Sequence, residues 1–176
     1  LPVILRAAVS TTMNVVLMLT LLQPKYGKKV TRLAMLGILV LDFGTALYCY
    51  LWGDLTLLSR IDLILFAVLC FAVRPLFRDT FMQWLFSYIT VQNISDIVII
   101  LSFILSRRLP YPAYANSIIR LVLFLAFYVV LKYWVRPLYR KVVEHWNVFF
   151  YVTFAIYLAF GYYSVFTDDI VATLTE

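Results

Sequence analysis

Apolar residues in this chain gather into long unbroken runs separated by short polar connections, with little of the alternation that marks a water-facing helix or strand. The runs cover roughly residues 3–22, 33–52, 60–73, 81–105, 117–135 and 146–166 and predict six helices. About 20 mostly apolar residues carry a helix across the hydrocarbon core of a bilayer. The pattern therefore predicts an all-α polytopic transmembrane bundle, six helices arranged as three hairpins with short loops. It forms one integral membrane domain over residues 1–176. The third run is short and opens on Ser59-Arg60-Ile61-Asp62, a variant of the capping box. The fourth is long enough to cross with some tilt. Arg74-Pro75 and Arg136-Pro137 are read as stops for the third and fifth helices, because proline lacks the N–H that a helix interior needs. The longest connection, residues 106–116, holds Arg107, Arg108, Pro110 and Pro112, with Tyr111 and Tyr114 suited to a membrane interface.

Composition agrees and removes several classes of function. The chain has 176 residues, 64% hydrophobic and 14% charged, with a mean hydropathy of +0.93. A soluble domain runs nearer half apolar and about a quarter charged. A net charge of +6 would suggest nucleic acid in a soluble protein, but the basic residues cluster between apolar runs and read as topology signals. Cys49 and Cys70 lie inside apolar runs without metal-ligand spacing. The first residue is Leu1 and the last, Glu176, follows an acidic patch, which suggests a fragment of a longer receptor.

The basic residues are unevenly shared. Lys25, Lys28, Lys29, Arg32, Arg74, Arg78, Arg136, Arg140 and Lys141 fall at the turns after the first, third and fifth helices, with Lys132 nearby. Arg6, Arg60, Arg107, Arg108 and Arg120 fall on the other side. The positive-inside rule then makes Arg74, Arg78, Arg136 and Arg140 cytoplasmic anchors and places both ends of the chain outside the cytoplasm. Arg74-Pro75-Leu76-Phe77-Arg78 recurs 62 residues later as Arg136-Pro137-Leu138-Tyr139-Arg140, with Trp84 and Trp146 following at equal distance. Internal duplication explains the repeat, and so does convergence on a turn that needs a stop, an aromatic and basic anchors.

Ionisable groups at membrane depth are expensive and usually face a bundle interior. Asp42 lies mid-helix in the second run. Gln92, Asn93 and Asp96 form a polar stripe on the fourth, Gln92 and Asp96 being four residues apart on one face. Arg120 can snorkel to an interface or reach an interior acid. These five are the candidate intramembrane site: a cluster that binds a headgroup, passes a proton or exchanges hydrogen-bond partners during signalling, or else interhelical glue. Asp54, Arg60, Arg107, Arg108, Tyr111 and Tyr114 are candidate ligand contacts in the outer loops. No phosphate loop, zinc-protease helix or nucleophile elbow occurs, so catalytic, cofactor-binding and metal-binding residues are all expected to be absent from this chain.

The helix start Arg60-Ile61-Asp62, the stretch Phe86-Ser87-Tyr88-Ile89-Thr90-Val91 leading into Gln92 to Asp96, and the turn Arg136-Pro137-Leu138-Tyr139-Arg140-Lys141 ahead of Trp146 carry a resemblance. From Arg60 to Phe166 the chain resembles the multi-pass sensor region of GHKL-type histidine kinases, the group that includes Agr-like quorum-sensing receptors. The resemblance implies a ligand-sensing module of a two-component receptor, with the kinase outside this chain. It further implies a homodimer in the plasma membrane of a bacterium, reading an extracellular peptide or small molecule. Membrane lipid is the other expected partner, and nucleic acid is not one. Two alternatives remain: a small-solute or ion transporter using Asp42 and Asp96, against which stands the placement of every proline in a connection, and a lipid-modifying membrane enzyme.

Overall fold

A computed structural model describes residues 2–52 and 71–166. Every regular element among them is helical. In chain order these are α1 (Pro2–Leu21), α2 (Lys28–Trp52), a 3-10 turn (Arg74–Leu76), α3 (Phe81–Ser106), α4 (Pro112–Val130), a π turn (Leu131–Val135), α5 (Arg136–Glu144) and α6 (Trp146–Phe166). Three helical stretches among the described residues are long and apolar enough to cross a membrane: Ile4–Leu21, Phe81–Ser106 and Pro112–Glu144. The expected helix over 60–73 lies outside the described residues except for its last three, which are helical.

The fifth helix differs from the sequence reading. It starts at Pro112 and does not stop at Arg136-Pro137; it runs on through the π turn into α5 and breaks only at His145 (φ −106°, ψ 34°). Pro137 occupies the first turn of α5, where a missing N–H costs least. The wider turn ahead of it, closed by Arg136 N–H to Leu131 O, relieves the clash a proline ring makes with the preceding turn. Pro137 is thus no connection residue, and the proline argument against a transporter loses one of its members. The two halves of the 62-residue repeat also differ. Arg74–Leu76 is a 3-10 turn followed by extended Phe77 (φ −115°, ψ 152°), whereas the matching segment is α-helical. The shared feature is the fourth position, Phe77 and Tyr139, buried in both.

Packing divides the chain into two compact units: Leu1–Leu21 with Met82–Glu176, and Leu22–Phe81. In the second unit the first two basic turns are joined. Lys25 N–H donates to Leu76 O (2.8 Å), Arg78 N–H to Gln23 O (2.9 Å), and Gln23 N–H to the Asp79 carboxylate (3.2 Å). Gly27 sits at φ +87°, a conformation that side chains resist, and turns the chain into α2.

In the first unit α1 packs along α4, the π turn and α5. The interior mixes apolar and polar side chains, while many large apolar side chains lie on the outside. The buried residues of α4 are Asn116, Ser117, Arg120 and Phe124, while Ile118, Leu121, Val122, Leu125 and Val129 are exposed. On α3, Ser87, Asn93, Ser95, Ser102 and Ser106 are buried beside Trp84, Phe86, Ile89, Val91 and Val98, while Ile97, Leu101, Ile104 and Leu105 are exposed. Small residues on the inner faces let helices approach closely. Trp84, with no exposed surface, stacks on Tyr88 at 5.3 Å, and Phe86 stacks on Tyr139 at 6.2 Å.

Candidate functional site

The inner faces of the first unit carry a seam of polar side chains. On α1 it consists of Arg6, Ser10 and Asn14, each one helical turn of four residues from the next. On α3 it follows Gln92, Asn93 and Ser102, and on α4 Asn116 and Arg120. Asn14 Nδ2 donates to Gln92 Oε1 (3.4 Å), and Asn93 Nδ2 to the Thr153 carbonyl of α6 (2.9 Å). Asn116 Nδ2 donates to Ser106 Oγ (3.3 Å). Arg120 Nε donates to Ser102 Oγ (3.4 Å) and Nη1 to Ser10 Oγ (3.0 Å). The pairs 102 with 120 and 106 with 116 keep a constant register, so α3 and α4 are antiparallel.

Arg120 is the anchor of the seam. It is only 6% exposed, it ties α1 to α3, and no carboxylate lies in ion-pair contact with it among the described residues. Its guanidinium lies 5.8 Å from the centroid of the Phe103 ring, and that of Arg6 lies 5.6 Å from the same centroid. The expectation that Arg120 reaches an interior acid is therefore replaced by two hydroxyls and a π face. Hydroxyl oxygens are weaker partners for a full charge than a carboxylate is.

The other predicted residues are only partly brought together. Gln92, Asn93 and Asp96 share α3; Gln92 and Asp96 are half-buried, Asn93 is buried, and Asp96 makes no hydrogen bond among the described residues. Asp42 is half-buried on α2 and belongs to the other unit, where Thr45 Oγ1 donates to its backbone carbonyl at 2.8 Å. Asp54 and Arg60 lie outside the described residues. Arg107, Arg108, Tyr111 and Tyr114 are exposed at the α3–α4 connection, with Tyr111 in the left-handed region (φ 55°) just ahead of Pro112. Arg74, Arg78 and Arg140 are exposed and Arg136 half-buried. Lys132 lies 5.3 Å from both the Tyr128 and Tyr133 ring centroids.

Sequence reasoning missed Ser10, Asn14, Ser102, Ser106 and Asn116, and treated Arg6 only as a topology marker. The available signal was four-residue spacing of polar side chains within apolar runs: 6, 10 and 14, then 102 and 106, then 116 and 120. The buried carbonyl oxygens of Asn14, Asn93 and Asn116 accept no hydrogen bond, although each amide nitrogen donates one. No group of three or more potential metal ligands occurs among the described residues.

The fold and site define an all-helical protein with three helices of membrane-spanning length and composition and a polar interior seam. Comparison with protein-family models, curated proteins and solved structures finds no match to the chain.

Proposed function

We propose that the chain is a membrane-spanning helical bundle that serves as the ligand-sensing module of a signal-transducing receptor. The observation that carries the reading is the buried polar seam, set in a unit whose outward faces are Leu, Ile and Val. In water such a unit would expose wide apolar faces and bury a charged group; in lipid the same outward faces are correctly solvated. The hydrogen bonds that join the turns at 23–25 and 76–79 support a reading of three hairpins whose basic turns share one side.

A seam of this kind suits a switch. Interhelical polar contacts in lipid are worth about 0.6 kcal/mol on average, so one set exchanges for another at small cost. The unsatisfied amide oxygens of Asn14, Asn93 and Asn116 are acceptors for that second set. A ligand arriving at the Arg107–Tyr114 end would shift α4 and, through the continuous α4–α5 helix, move the basic turn at the far end. The resemblance to GHKL-type sensors makes a histidine kinase the output and a pair of copies the signalling unit, in a bacterial plasma membrane.

The test is a reporter of receptor output in cells carrying the intact receptor, with and without conditioned medium. Asp96→Asn and Asn93→Leu should shift the response while membrane levels stay normal. An unchanged dose response in both variants would sink the switch role. The π turn ahead of Pro137 favours transport as the second reading, because such turns recur at functional sites in helices. Solute flux through proteoliposomes in the absence of any output domain would favour it over sensing.

A further inference from the structure

Two guanidinium groups meet over one aromatic ring in the first unit, and the described residues do not neutralise them. Arg120 spends two of its five N–H groups on Ser102 and Ser10, and three have no protein partner among the described residues. Arg6, at 5.6 Å from the Phe103 ring, makes no hydrogen bond to protein among the described residues. Two like charges sharing a ring repel each other, and a buried cation without a counter-charge costs several kcal/mol. The only acid on α3 is Asp96, six residues and roughly 9 Å along the axis from Ser102. It makes no ion pair with either arginine.

The surroundings add further positive charge. The cluster sits toward the end of the unit where α1 and α4 begin. Arg6 is four residues inside Pro2 and Arg120 eight inside Pro112, about 6 and 12 Å along their axes. Arg107 and Arg108 are exposed at the same end. Phe103, partly exposed, gives the cluster an apolar wall.

We propose that Arg6 and Arg120, with Ser10 and Ser102, bind an oxyanion, a phosphate or carboxylate group, between α1, α3 and α4. A guanidinium presents a planar fork that matches such a group, and one anion would relieve both charges at once. The serine hydroxyls orient the Arg120 fork and leave its remaining N–H groups to the ligand. Phe103 beside the anion suits a ligand with an apolar part next to its charge. An anionic phospholipid headgroup and a soluble phosphate or carboxylate share this chemistry. The proposal deepens the sensor reading by naming a ligand class, and rests on it for the membrane setting.

The experiment uses the full chain in nanodiscs. In discs of phosphatidylcholine alone, equilibrium dialysis measures binding of radiolabelled inorganic phosphate and of radiolabelled acetate. In discs that also contain phosphatidylglycerol, native mass spectrometry after release counts the phosphatidylglycerol retained per chain. Saturable binding of one anion per chain is expected in at least one arm, and the arm that responds identifies the source. Arg120→Gln and Arg6→Gln should each weaken it roughly tenfold to a hundredfold, the worth of a hydrogen bond to a charged group. Arg108→Gln at the exposed connection should leave it unchanged. Arg6→Gln keeps the test valid if Arg120→Gln does not insert, because Arg6 makes no hydrogen bond between helices among the described residues. No saturable binding in any arm, or binding indifferent to Arg6→Gln, overturns the site. Receptor output separates the two claims: binding without any effect on output removes the sensor reading and keeps the site, and the reverse result removes the site alone.

Discussion

Ser10 and Ser102 approach the same buried guanidinium from two helices, so removing one hydroxyl should be felt only while Arg120 is present. Ser10 Oγ lies 3.0 Å from Arg120 Nη1, and Ser102 Oγ 3.4 Å from Nε. Polar contacts between membrane helices average about 0.6 kcal/mol and reach about 1.7 kcal/mol. A charged donor in a site 6% exposed belongs at the upper end of that range. The expected coupling between Ser10 and Arg120 is therefore about 1–1.7 kcal/mol. The longer Ser102 contact should give about 0.5 kcal/mol. The assay is a double-mutant cycle of Ser10→Ala and Arg120→Met, with stability read from unfolding of the purified chain in mixed micelles by tryptophan fluorescence. Independent sites add within about 0.3–0.5 kcal/mol. A Ser10–Arg120 coupling inside that scatter would refute the claim that this guanidinium ties α1 to α3.

Gly27→Ala should destabilise the chain by about 1–2 kcal/mol in the same assay, since φ +87° penalises a side chain; Gly37→Ala, within α2 and with open space around it, should stabilise by up to about 1 kcal/mol. Trp84→Ala should cost about 3–5 kcal/mol because the ring is fully buried, whereas Trp134→Ala, 79% exposed, should stay within about 0.5 kcal/mol. Pro137→Ala restores a helical N–H and should slow amide hydrogen exchange across Leu131–Val135; unchanged exchange there would show that the π turn has another cause.

Helices set by unbroken apolar runs were legible in the sequence. The runs 81–105 and 146–166 correspond to α3 (Phe81–Ser106) and α6 (Trp146–Phe166), and 3–22 to α1 (Pro2–Leu21). α2 begins five residues before its apolar run, because Lys28 and Lys29 are good helix formers whose charge says nothing against a first turn. The continuation past Arg136 was hidden, since a proline rule applied locally cannot register a π turn several residues upstream. At the site, Asn93 and Arg120 stood out because long polar side chains in an apolar run are conspicuous. Ser10, Ser102 and Ser106 did not, because serine is common in membrane helices as a small packing residue, and only the neighbouring helix shows which serines face a cation. Depth alone groups Asp42 with Asp96 and says nothing of packing; each lies in a different compact unit.

A membrane bundle with this polar seam requires that α3 cross the bilayer. Single-cysteine accessibility in intact cells tests this directly, in a Cys49→Ala, Cys70→Ala background with Arg78→Cys ahead of α3 and Arg108→Cys after it. An impermeant maleimide should label position 108 from outside and reach position 78 only after the membrane is opened. Labelling of both positions from the same side would contradict a spanning α3, and with it the membrane bundle and the site built on it.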